Sequence, residues 1–120
     1  MYLNSFQAYV AYENFKKLPA KMQRLQEVRG IYNEALGYSN ASSHLYRIAV
    51  KDNKAKMKEL REKGIVTGVH YDASHLNPVY NQGKRYACPK SEAVSTTTLS
   101  IPFNEKLTDK EIKYIIECVK

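Results

Sequence analysis

The segment from Asn4 to Lys17 sets the tightest limit on how this chain can fold. Ala8-Tyr9-Val10-Ala11-Tyr12 is an unbroken apolar and aromatic run, with Phe6 before it and Phe15 after it. At about 100° per residue these positions cover the whole circumference of a helix, and a helix that is apolar all round is buried all round. A chain of 120 residues can rarely enclose a helix at its own end. The segment is therefore expected to be covered by something outside this chain: a second domain, a second subunit, or both.

The length suits one domain. Apolar residues make up 43% and charged residues 26%, which is ordinary globular usage and argues against disorder. No apolar run approaches the roughly 20 residues that span a bilayer. The first residues lack a charged region followed by an apolar one, so no signal peptide is expected. Cys88 and Cys118 form no metal-ligand spacing and read as inert free thiols in a reducing compartment, hence a cytoplasmic chain. The net charge is +7, but the basic residues are scattered. The densest stretch, Lys51 to Lys63, is interleaved with Asp52, Glu59 and Glu62 and reads as a solvated helix face. The excess charge still suits an anionic partner, such as a nucleotide diphosphate.

Leu18-Pro19 breaks the first helix, because proline suits the first turn of a new one. From Ala20 to Leu36, Met22, Leu25, Val28, Tyr32, Ala35 and Leu36 recur at helical spacing, and Gly37 is placed to end the helix. His44 to Val50 reads as a strand with Tyr46, Ile48 and Val50 on one face. Asp52 caps a helix over Asn53–Lys63, and Gly64 ends it. Ile65 to His70 is a second strand, and Thr97 to Ile101 a third, preceded by a short helix near Ser91–Ser95. Thr108 and Glu111 form a capping box that opens a last helix with an Ile112, Ile115, Ile116, Val119 stripe. The predicted architecture is a two-layer α+β domain. It has a three-stranded, mainly antiparallel sheet, helices on one face and a long N-terminal interdomain helix. Residues 1–37 form the helical interface segment and 38–120 the α+β small domain.

The stretch from Asp72 to Pro89 is long and irregular, and such loops commonly carry function. With the strand before it, this stretch gathers His70, Tyr71, His75 and Tyr80. Aromatic rings can stack on a sugar or base, and imidazole can exchange hydrogen bonds with hydroxyls and phosphate. An imidazole can equally be satisfied within the fold; that is the expectation for His70, whereas His75, already in the loop, is read as facing a ligand. His70 and His75 lack the helical spacing of a zinc pair, and Gly64 to Gly68 is a helix stop and strand rather than a phosphate cradle.

These residues also carry a resemblance. The sequence resembles the DegT/DnrJ/EryC1/StrS family of fold-type I, pyridoxal-phosphate-dependent aminotransferases of nucleotide-sugar and antibiotic-sugar biosynthesis. The family's "GI-x-T-x-x-HY-x-x-x-H-x-x-P-x-Y" stretch is matched by Gly64, Ile65, Thr67, His70, Tyr71, His75, Pro78 and Tyr80. Gln7-Ala8 resembles the "QAA" opening the interdomain helix, and Tyr32 to Leu36 the "Y-x-x-AL" ending the next. Tyr46 to Val50 resembles the first small-domain strand. Leu99 to Pro102 with Leu107-Thr108 resembles the "LSLP…LT" before the final helix.

The resemblance implies the C-terminal small domain of an enzyme whose large, mostly parallel α/β domain is missing. In the family that domain holds the Schiff-base lysine, the aspartate against the pyridine nitrogen and most phosphate ligands. The family's Ser-x-x-x-x-Lys motif occurs nowhere here. The parent would use pyridoxal phosphate to transfer an amino group to a keto-sugar on a nucleoside diphosphate. This chain alone is expected to bind no cofactor covalently and to be inactive. The implied partners are the large domain, a second subunit in a homodimer and the nucleotide-sugar. His75, Tyr71 and Tyr80 are the implied substrate-binding residues. Tyr2 stands where the family has an arginine that reaches the cofactor phosphate of the other subunit. Two further readings remain: a free-standing, non-catalytic interaction or regulatory module, and a basic RNA-binding domain. The strands lack the aromatic stacking pair that the RNA reading needs.

Overall fold

The computed structural model describes residues 4–83 and 87–120. Helix α1 spans Ser5–Lys16. Asn4 caps it reciprocally: its side chain accepts the Gln7 N–H at 2.8 Å, while the Gln7 side chain accepts the Asn4 N–H at 3.2 Å. Lys17 is the joint to helix α2, Leu18–Leu36. Pro19 lies in the first turn of α2, where a missing N–H costs nothing. Gly37 ends α2 in the left-handed region, at φ 72°, where a side chain would be strained. Helix α1 buries no residue, and Phe6 is 76% and Phe15 70% exposed. It projects from the body: the radius of gyration is 18.0 Å, against about 14 Å for a compact chain this long.

The sheet is an antiparallel pair, β1 (Tyr46–Ala49) and β2 (Thr98–Ile101), with Tyr46 opposite Ile101 and Ile48 opposite Leu99. Those four side chains share one buried face, while Arg47 and Ala49 on the other side of β1 are exposed. Against the buried face pack Val28 and Tyr32 of α2, Leu60 of α3 (Asn53–Glu62) and Ile112, Ile115 and Ile116 of α6 (Asp109–Val119). Both expected caps are present: Asp52 accepts the Ala55 N–H, and Thr108 with Glu111 forms a full capping box.

The predicted three-stranded sheet is corrected to two strands among the described residues. Residues 65–70 meet the sheet at one rung only, where Gly68 and Ser100 exchange both backbone hydrogen bonds, at 2.8 and 3.0 Å. Glycine is a poor strand residue, and the chain leaves the ladder just past it. The His70 imidazole folds back over Gly68 and bonds Ser100 Oγ at 3.1 Å. A Cβ at position 68 would lie 2.7 Å from His70 Cε1, so only glycine allows this approach. The stretch from Asp72 onward is also more ordered than its sequence suggests: a 3-10 turn at Ser74–Leu76 precedes helix α4, Pro78–Asn81. Helix α5, Pro89–Thr97, runs longer than the expected Ser91–Ser95.

Two tyrosines anchor the core. Tyr32 and Tyr46 are both fully buried, their ring centroids 4.9 Å apart. Burial pushes both phenols above their ordinary pKa. Tyr32 donates to Pro102 O at 3.0 Å and Tyr46 to Asn33 Oδ1 at 2.8 Å. Asn33 also exchanges two hydrogen bonds with the Asn40 backbone. At the surface, the Arg24 guanidinium bonds Asp109 Oδ1 at 2.6 Å and Leu107 O at 2.8 Å, joining α2 to the start of α6. That hydrogen bond, and then the charge of Arg24, holds the Asp109 carboxyl below its usual pKa. Among the described residues no helix is long and apolar enough to cross a membrane.

Three outcomes follow. Phe15→Ser will leave urea unfolding of this chain within about 0.5 kcal/mol of the original, because Phe15 touches no core. Ile112→Ala, at a position 1% exposed, will cost about 2–5 kcal/mol. Because the Asp109 pKa is lower folded than unfolded, its contribution is present above the ordinary aspartate range, about pH 4, and fades as pH falls through the folded value. Thermal melts from pH 7 to pH 2 will therefore show the gap between the wild-type chain and Asp109→Asn narrowing with acid.

Candidate functional site

A groove of about 770 Å³ opens where the first turn of α3, the loop after Gly68 and the end of α5 meet. Its volume lies within the range of small-molecule sites. One wall is the loop, which contributes Tyr71, Ser74, Leu76 and Tyr80. Ser95 and Thr96 of α5 also line the groove, as do Asn53 and Lys54 at the start of α3. Asn53 is 3% exposed and ties these elements together, with its Nδ2 donating to Ser95 O at 2.6 Å and Thr98 O at 3.2 Å. Pro78 and the Asn77 side chain, which accepts the Val79 N–H at 2.9 Å, start α4 and so aim the Tyr80 segment.

The structure brings two of the sequence-predicted residues together and turns the third away. Tyr71 and Tyr80 both line the groove and are 78% and 70% exposed. His75, between them in sequence, is absent from the lining. Its side chain is only 14% exposed and its Nε2 lies 3.0 Å from Glu92 Oε1. The His70 ring meets the Tyr71 ring edge-on at 5.6 Å, and its Nδ1 is satisfied by Ser100. Tyr2 lies outside the described residues. Sequence reasoning missed Lys54, which was read as part of a solvated helix face and in fact borders the groove. It also missed Glu92, whose only signal was a carboxylate in the first turn of a helix. Cys88 and Cys118 are free thiols. Among the described residues no cluster of His, Cys, Asp and Glu could hold a metal ion.

This fold is shared with known enzymes of one class. The putative sugar aminotransferase Spr1654 of Streptococcus pneumoniae superposes with a TM-score of 0.85 at 26% identity, over 95% of this chain and 33% of the other. An aminotransferase of the DegT/DnrJ/EryC1/StrS group from Brucella abortus gives 0.82 at 25% identity, over 94% and 34%. PseC of Helicobacter pylori, an aminotransferase involved in the biosynthesis of pseudoaminic acid, shares the fold with a TM-score of 0.83 at 21% identity, over 94% of this chain and 35% of PseC. In sequence, the uncharacterised protein MJ1066 of Methanocaldococcus jannaschii is 25% identical over 98% of this chain and 36% of its own length.

The model of the DegT/DnrJ/EryC1/StrS aminotransferase family matches residues 1–120, and the chain belongs to that family. It spans about a third of the length of the relatives it matches. Spr1654 has been solved in pyridoxal-phosphate and pyridoxamine-phosphate forms. That cofactor needs a lysine, a carboxylate at the pyridine nitrogen and a phosphate cradle. The groove offers Lys54 on an exposed helical turn and Asp72 on the loop, and no glycine lines it. The described residues of this chain do not fit the cofactor by themselves.

Replacing Asn53 by alanine will deprive the Ser95 and Thr98 carbonyls of their shared donor. The expected cost is about 1–3 kcal/mol, read by chemical denaturation.

Proposed function

We propose that this chain is the C-terminal small domain of a pyridoxal-phosphate aminotransferase that transfers an amino group, usually from glutamate, to a keto-sugar carried on a nucleoside diphosphate. Family membership over the whole chain supports the enzyme class. The single observation that carries the domain reading is α1, which has no buried residue and leaves Phe6, Tyr9, Tyr12 and Phe15 in water. A soluble chain rarely leaves such a surface bare unless a neighbour covers it. On this reading residues 1–37 are the interdomain segment. The large domain and a second subunit are the covering partners, and residues 38–120 close one side of the substrate cleft.

In that cleft Tyr71 and Tyr80 supply rings for stacking and phenols for hydrogen bonds to sugar hydroxyls. Lys54, which pairs with no carboxylate among the described residues, supplies positive charge to the groove. The covalent chemistry belongs to the part of the enzyme that this chain lacks.

Reconstitution tests the proposal. A separately produced large domain carrying the Schiff-base lysine will regain transamination of a nucleotide-linked keto-sugar when this chain is added, and neither half will be active alone. Activity of this chain by itself, or no recovery on mixing the halves, would overturn the assignment.

A further inference from the structure

We propose that His75 and Glu92 form a brace that ties the groove-lining loop to α5, and that His75 is a positioning residue rather than a substrate contact. The geometry of the loop and the helix carries the inference. His75 sits in the 3-10 turn between Ser74 and Leu76, both of which line the groove. Glu92 sits in the first turn of α5, and one turn later come Ser95 and Thr96, which also line it. The 3.0 Å bond from His75 Nε2 to Glu92 Oε1 therefore links the loop that lines the groove to the helix that lines it, through two residues outside the lining.

The link is built at both ends. Glu92 Oε1 also accepts the Cys88 backbone N–H at 3.3 Å, so one carboxylate oxygen holds the 3-10 turn and the entry to α5. The Glu92 carbonyl accepts the Ser95 hydroxyl at 2.8 Å, which ties the carboxylate's own backbone to the lining residue. On the other side the turn is closed by Leu76 N–H to Ala73 O at 2.9 Å and Asn77 N–H to Ser74 O at 3.1 Å. Ala73 is itself buried, which seats the turn against the body. A carboxylate can only accept, so Nε2 must carry the proton. The brace thus also fixes the imidazole tautomer.

The bond joins residues 17 positions apart across a loop whose two tyrosines are largely exposed. Few buried contacts hold that loop, and such segments open locally at low cost. A charge-assisted bond at its centre is placed to limit that opening. Its consequence for ligand binding rests on the aminotransferase reading; the brace itself does not.

The test uses the full chain and the variants Glu92→Ala, Glu92→Gln, His75→Ala and the double alanine. Amide exchange by nuclear magnetic resonance will rise roughly tenfold or more at Leu76 and Asn77 in both single alanine variants, with Ser100 and Ile112 unchanged. The double variant will be no worse than Glu92→Ala alone, as expected for two residues acting through one bond. Glu92→Gln will keep most of the protection, because its amide oxygen still accepts from Nε2–H. The His75 Nε2 proton will exchange slowly enough to be seen in the original chain and in Glu92→Gln, and will be lost to fast exchange with water in Glu92→Ala. Unchanged exchange at Leu76 and Asn77, or additive losses in the double variant, would overturn the brace. Equal loss of protection at Ile112 would also overturn it, by showing a general role in stability. In the reconstituted enzyme His75→Ala will raise KM with little change in kcat, and Glu92→Gln will stay near the original. Normal exchange effects with failed reconstitution would keep the brace and remove the enzymatic reading. The reverse pattern would do the opposite.

Discussion

Two buried phenols hold this fold in register. Tyr32 and Tyr46 come from different elements, meet at 4.9 Å and are both sealed from water. A buried hydroxyl without a partner is costly, so each must find an acceptor within the fold. Tyr32 finds the carbonyl of Pro102, just past the end of β2, and Tyr46 finds Asn33 on α2. Those two bonds fix where α2 lies over the β-pair, along the chain and around its own axis. The α6 stripe and Leu60 then fill the remaining apolar space. Everything around the groove hangs from this arrangement, because α3 and α5 are joined to the start of β2 through Asn53.

The groove is built from the less regular half of the chain. Its base is core-like, where Asn53 is buried and doubly bonded, and its rim is loop, where Tyr71 and Tyr80 stand in water. That gradient suits a surface that must be placed accurately and yet admit a ligand. Rigid elements set the base, and short caps and turns, one after another, set the rim.

Much of the helical part was legible in the sequence, because caps and stops act locally. Asp52, Thr108 with Glu111, and Gly37 are all where their chemistry predicts, and Asn4 adds a cap that sequence reasoning passed over. Strands β1 and β2 showed in their alternating apolar residues. The third strand did not form because its apolar run contains Gly68, and one rung is all that Gly68 supports before His70 folds over it. The site was half legible. Tyr71 and Tyr80 could be picked out as exposed aromatics in a long loop, but the orientation of His75 depends on Glu92, which no local spacing connects to it. The same holds for Lys54, whose place beside the groove follows from tertiary packing and not from its charged neighbours in sequence.

The bare α1 is a liability for as long as nothing covers it. Each of its aromatic rings can bury roughly 150–250 Å², and most of that area stays in water when the chain folds. The core of the body packs without this helix. Left uncovered, Phe6, Tyr9, Tyr12 and Phe15 form a ribbon of the kind that chaperones and proteases recognise.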